Sequence, residues 1–179
     1  MYGFMKRSNK IREYFRKSSD KIRCYKGAGI LFYHRNQAET KILLGKRKSK
    51  IWSISGGQMA RCDGGDYFHC ALRETAEEFG CHKFVDDSIH QYLNNDNTIR
   101  SYPMQIIFPF IIFNWKTYFI ELAKIPAKNQ FPDINAQDYQ IEFSDHHWFS
   151  IKDILRLRRD YKIHFLIYPS FLWLGIRLT

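Results

Sequence analysis

A glycine pair, Gly56-Gly57, stands a short loop ahead of Arg73-Glu74-Thr75-Ala76-Glu77-Glu78-Phe79-Gly80-Cys81, and that segment reads as one short helix with two unlike faces. At about 100° per residue, Glu74, Glu77 and Glu78 fall within an arc of about 100° and lie one turn apart. Phe68, Leu72, Thr75 and Phe79 take the opposite side. One face suits burial and the other carries charge. The fold must therefore seat this helix on an apolar layer with its carboxylates turned away from it.

Clustered carboxylates repel one another unless a cation, an arginine or a proton relieves them, and a chain of formal charge +10 does not need them for solubility. Hard divalent cations such as Mg²⁺ take oxygen ligands and leave positions for waters and phosphates. The acidic face thus reads as a metal site suited to phosphoanhydride chemistry. The plainer alternative is a solvated helix surface.

These residues carry a family resemblance. The signature of the Nudix hydrolases is a Gly, five residues, a Glu, seven residues, then Arg-Glu-U-x-Glu-Glu-x-Gly-U, where U is apolar or small. Arg73 to Cys81 is similar to its second half, with Thr75 and Cys81 at the U positions. The first half departs: Gly65 stands where the family has its first Glu, and Gly57 lies two residues further from Arg73 than usual. Asp63 and Asp66 are the candidates to stand in for that carboxylate. Asp66 also suits a helix N-cap, where its side chain accepts a hydrogen bond from an otherwise unpaired N–H.

The resemblance covers about residues 26 to 157 and implies an α/β (α+β) fold, a mixed β-sheet sandwiched between α-helices. It also implies hydrolysis of a nucleoside diphosphate linked to a moiety X, by water attack on phosphorus with Mg²⁺ or Mn²⁺. The implied metal ligands are Glu78 and Glu77, with Glu74 as a third and the Gly56 carbonyl as an extra. Arg73 is expected to position Glu77 by pairing at i+4. The glycine turn, Gly57 included, would lie against substrate.

The base, or a further ligand, would come from a late loop offering Asp138, Glu142 and Asp145. Glu142 is the choice because it stands six residues before Trp148, with a plain surface Glu as the alternative. His146 and His147 are neighbours on an expected strand and point to opposite faces, so at most one reaches a cleft. Arg47 and Lys46, ending the second strand, are candidate phosphate contacts, with simple exposure as the competing reading.

The rest of the chain divides into a basic N-terminal helical segment (1–25), the central domain (26–160) and an aromatic C-terminal segment (161–179) expected to pack on it. Strands are predicted over 27–34 and 41–47, with a third over 51–54 leading into a glycine loop. A further pair, 104–113 and 117–122, is separated by Asn114-Trp115-Lys116, with a bulge or edge at Pro109. A last strand over 145–150 passes into a helix from Ile151.

The first fifty residues hold fifteen of the 28 Lys and Arg and three of the 18 acidic residues, a bias that favours a polyanionic partner or is simply a solvated face. Cys24, Cys62, Cys70 and Cys81 show no paired spacing, which points to reduced thiols and a cytoplasmic setting. The basic N-terminal segment lacks the apolar core of a secretory signal. The aromatic C-terminal segment is too short and too interrupted by Pro169 to span a bilayer as one helix. Three readings stay open: a pyrophosphatase of nucleotide-type small molecules, an enzyme of the RNA 5′ end, and a noncatalytic nucleotide-binding module. A homodimer is compatible with each.

Overall fold

The central strand, β1 (Arg23–Arg35), is buried without interruption over its second half, Gly27 to Tyr33. A strand buried on both faces needs a cover on each side. In the computed structural model, the described residues are 23–80, 99–108, 111–125, 142–160, 162–164 and the single positions 167, 169, 171 and 174. The remaining strands are β2 (Thr40–Arg47), β3 (Trp52–Ser53), β4 (Ser55–Gln58), β5 (Ile99–Phe108), β6 (Ile111–Glu121) and β7 (Phe143–Ser150). Among the described residues the helices are α1 (Tyr67–Phe79) and α2 (Ile151–Arg159), with one 3₁₀ turn at Arg61–Asp63, and Ile167, Pro169 and Phe171 are helical as well.

These strands form one mixed seven-stranded sheet in the order β3-β2-β1-β6-β5, with β4 alongside β1 and β7 alongside β2. The parallel pair is β1 with β6, running from Arg23 opposite Ile111 to Tyr33 opposite Glu121. On its other edge β1 is shared. Its end, Tyr33 to Arg35, pairs with β2, and Gly27 to Ile30 pair with β4.

The two-residue period of the strands sorts their side chains into two cores. Ala28, Ile30, Phe32, Leu43, Tyr118 and Ile120 face α1 through Cys70, Ala71, Ala76 and Phe79. Leu31, Tyr33, Ile42, Leu44 and Phe119 face Ile154 of α2. Burial of each large side chain contributes about 1.5–3 kcal/mol, so neither face could stay uncovered. The second core also takes in Ile163, Ile167 and Phe171. A parallel bridge from Trp52 to Ile163 ties that segment to β3.

Two expectations about the sheet are corrected. Asn114-Trp115-Lys116 is not a break, because β6 continues through it while hydrogen-bonded to both β1 and β5. Trp115 is buried, its indole lying over Gly27 and Gly29, so a segment that looks polar is anchored from its middle. The double glycine is not a loop either. Gly56 and Gly57 belong to β4, opposite Gly29 and Ala28, small residues that let the two backbones approach. Pro103, which cannot donate to a ladder, sits in β5 at the sheet edge. Pro109, the 130–139 loop, the expected N-terminal helix, Asp138 and Cys81 lie outside the described residues.

Candidate active site at the corner of β4 and α1

Helix α1 starts where Asp66 caps it, its Oδ1 accepting from the N–H groups of Phe68 at 2.6 Å and His69 at 3.2 Å. A buried hydroxyl pair then fixes the helix on the sheet. Thr75 Oγ1 lies 2.7 Å from Ser55 Oγ, and Thr75 also donates to the Ala71 carbonyl. Thr75 is thus a polar clasp between α1 and β4, a role its place on the apolar face did not suggest. With this anchor the acidic face of α1 meets the glycine strand.

The three helix carboxylates are not equivalent. Their side chains are 2% exposed at Glu78, 16% at Glu74 and 45% at Glu77. Glu78 Oε2 accepts from the Gly56 N–H at 2.6 Å, and its Oε1 accepts from Arg47 Nη2 at 2.8 Å. The same Nη2 lies 3.5 Å from the Gly56 carbonyl. Glu74 rests against Gly57 so closely that a Cβ there would collide with its carboxylate. Only glycine permits that approach.

Burial pushes the Glu78 carboxyl up to about 8, the negative charges of Glu142 and Glu74 adding to it against the pull of Arg47 and the Gly56 N–H. Glu74 is raised chiefly by burial, and there too Glu77 and Glu142 add to the effect while Arg73 opposes it. Glu142 therefore acts on both, from the residue just before β7. Its neighbour Phe143 pairs with Arg47 across the sheet, which brings the end of β7 to the same corner.

Arg73 organises the other side. Its Nε donates to Asp63 Oδ1 at 2.8 Å and its Nη2 to Asp63 Oδ2 at 3.0 Å, a two-bond fork. Nη1 reaches Glu77 at 3.0 Å, and Nη2 also reaches Glu74 at 2.8 Å and the Gln58 carbonyl at 3.1 Å. Asp63 is buried and accepts from the Ala60 N–H as well, and the Arg73 bonds hold its carboxyl well below the usual range. Gly65, two residues on, has φ +83°, a left-handed turn that glycine adopts freely, and no atom lies within 4 Å of where its Cβ would be. Of the two candidate stand-ins, Asp63 is thus the buried carboxylate paired with Arg73, and Gly64 and Gly65 form the turn between Asp63 and α1.

Lys46 is placed elsewhere. Alternation sends Arg47 toward Glu78 and turns Lys46 to the opposite face, its Nζ 5.6 Å from the centre of the Trp52 ring. The two histidines divide likewise, His146 packing on Phe79 and His147 on Phe149. Asp145 accepts from the His146 N–H. Cys24, Cys62 and Cys70 are free thiols, and burial pushes that of Cys70 up to about 11.

The oxygens at this corner are of the kind a hard cation takes: the carboxylates of Glu74 and Glu78, and the Gly56 carbonyl. Four carboxylates (Asp63, Glu74, Glu77, Glu78) meet two guanidiniums (Arg47, Arg73), and Arg47 lies on both Glu78 and the Gly56 carbonyl. Among the described residues no three acidic, histidine or cysteine groups converge into a preformed metal cage. The positive group that now neighbours the Glu78 carboxylate and the Gly56 carbonyl is the Arg47 guanidinium.

Comparison with solved structures supplies the fold's identity. A bifunctional NMN adenylyltransferase/ADP ribose pyrophosphatase from Francisella tularensis, complexed with AMP and Mn ion, matches with a TM-score of 0.56 at 18% identity, over 92% of this chain and 46% of that one. The Nudix domain of Shewanella oneidensis NrtR complexed with ADP ribose matches at 0.49 and 13% identity, over 75% of this chain and 77% of that one. An Ap4A hydrolase from C. elegans matches at 0.42 and 17% identity, over 74% and 84%. The fold is the Nudix fold. This chain spans a little under half of the Francisella protein, and the likeness concerns architecture alone. No protein-family model and no curated protein matches the sequence. In this chain β4 carries the glycine pair and α1 the acidic face. No helix among the described residues is long and apolar enough to cross a membrane.

Proposed function

We propose that this chain is a Nudix hydrolase that cleaves a phosphoanhydride bond in a nucleoside diphosphate linked to another moiety, with Mg²⁺ or Mn²⁺ as cofactor. The observation that carries this reading is the meeting of the acidic face of α1 with the glycine strand, Glu78 bonded to the Gly56 N–H and Glu74 against Gly57, on a Nudix fold. Glu78 and Glu74 with the Gly56 carbonyl hold the cation, and the exposed Glu77 completes the set. A bound Mg²⁺ or Mn²⁺ supplies charge neutralisation at phosphate oxygens and lowers the pKa of an attacking water. Glu142 takes the proton of that water as its oxygen adds to phosphorus. The anhydride P–O bond breaks and the leaving phosphate departs with the bond's electron pair.

The two arginines divide the remaining work in this reading. Arg73 holds Glu77 and Glu74 in place from its anchor on Asp63 and acts through them. Arg47, its side chain 35% exposed, and the backbone at Gly57 contact substrate phosphates. The Francisella structure holds AMP and a manganese ion, the kind of ligand pair this reading assigns here.

The test is release of phosphate or nucleotide by the purified protein with Mg²⁺ and then Mn²⁺, across nucleoside triphosphates, ADP-ribose, dinucleotides and capped RNA. Metal-dependent turnover that is lost in Glu78→Gln supports the reading and selects among substrates. Nucleotide binding without turnover on any substrate would replace it with a noncatalytic binding module.

A further inference from the structure

Arg47 stands on two of the groups assigned to the cation, the Glu78 carboxylate and the Gly56 carbonyl, and reaches both with a single nitrogen, Nη2. The guanidinium is otherwise poorly held. Its Nε is buried without a hydrogen-bond partner among the described residues, and the Gly56 contact is long at 3.5 Å. Its carbon lies 5.8 Å from the centre of the Phe143 ring, a contact that survives modest displacement of the head group. An arginine with a strong bond to one carboxylate and an unsatisfied donor elsewhere is restrained by charge more than by geometry.

We propose that Arg47 is a resident counter-cation of this cluster, which competes directly with the divalent cation for Glu78 and Gly56 and is released when that cation binds. Without the cation, the guanidinium relieves the repulsion around buried Glu78 and covers the Gly56 carbonyl. With it, the same charge is free to turn outward, where a phosphate would approach. Arg47 thereby sets the cation affinity of the empty protein and makes cation binding a precondition for its own contact with substrate. This rests on the cation site assigned above, so the experiment separates failure of the site from failure of the competition.

Mn²⁺ alone is the probe, and free Mn²⁺ is followed by electron paramagnetic resonance without nucleotide. Titrations are run under nitrogen over a series of pH values, because loss of the guanidinium also strengthens the hold of a proton on Glu78, and the two proteins are compared where their Mn²⁺ affinity no longer rises with pH. Arg47→Met is expected to bind Mn²⁺ about five-fold more tightly than the unaltered chain, the effect of removing a partly exposed ion pair. Equal or weaker binding by Arg47→Met overturns the competition and leaves the cation site standing. Binding by neither protein overturns both, as does binding that Glu78→Gln leaves unchanged.

A second measurement needs no substitution. Arg47 is mapped by peptide mass spectrometry after brief treatment with phenylglyoxal. Mn²⁺ is expected to speed its modification at least two-fold relative to Arg73, which keeps its Asp63 partner. An Arg47 rate that is unchanged or slowed by Mn²⁺ overturns the release.

Discussion

Asp63 and Arg73 form a two-bond ion pair, Nε to Oδ1 at 2.8 Å and Nη2 to Oδ2 at 3.0 Å, that joins the 3₁₀ turn to the middle of α1. From this anchor Arg73 reaches Glu74, Glu77 and the Gln58 carbonyl, so one carboxylate outside the helix orients two within it. Asp63→Ala leaves the guanidinium without its main partner and the loop without its cap on the Ala60 N–H. We expect a loss of about 3 kcal/mol in urea unfolding, the scale for breaking a buried pair from one side. A loss below about 1 kcal/mol would show the pair to be incidental.

The same geometry predicts that restoring the familiar glutamate will not help. Gly65 sits at φ +83°, where a residue with a side chain costs about 1–2 kcal/mol, and no atom waits within 4 Å for its Cβ. Gly65→Glu is therefore expected to lower the thermal midpoint and leave turnover no higher. Increased turnover would mean that position 65, and not 63, is the proper seat of the carboxylate.

At Gly57 an added methyl meets the Glu74 carboxylate, the free end of a flexible side chain, and not a rigid backbone. Gly57→Ala should leave the thermal midpoint within a few degrees while displacing Glu74. Mn²⁺ affinity, read by titration, should fall about ten-fold or more. Unchanged affinity in a folded variant would remove Glu74 from the set of ligands.

Glu78 makes a pH prediction whose sign is opposite to that of a well-paired surface carboxylate. Its carboxyl is raised from 4.5 to about 8 in the folded chain, so between those values the folded state holds a proton that the unfolded state has lost. Stability from this group is present in full below about pH 4.5 and is lost as pH rises toward 8, after which it levels. Glu78→Gln should lack that slope, and the difference between the two thermal midpoints should shrink at low pH. With Glu78 holding the cation as proposed, cation affinity should run the other way and rise with pH to about 8, because a ligating carboxyl must be ionised.

Thr75 supplies a test away from the carboxylates. Thr75→Val keeps the shape and removes the hydroxyl that bonds Ser55 and the Ala71 carbonyl. The expected cost is about 1 kcal/mol in urea unfolding. No cost would mean that packing alone fixes α1 on β4.

Local pattern determined much of this molecule. The 3.6-residue period of α1 and the alternation along β1, β2 and β7 need only neighbours in sequence, as do the Asp66 cap and the Arg73–Glu77 pair at i+4. So does the divergence of Arg47 from Lys46, although not which of the two would meet the helix. Other features have no period to read. Asp63 meets Arg73 because a loop folds back, and β6 runs through Asn114-Trp115-Lys116 because Trp115 fills the space over two glycines of β1. Gly56-Gly57 became a strand because β1 offers small residues opposite it. Of three like glutamates on one helix face, the fold buried Glu78 deepest, and with burial came its raised carboxyl and its dependence on Arg47. Desolvation depends on how many distant atoms displace water around a group, a quantity settled only when the sheet and helix close on each other.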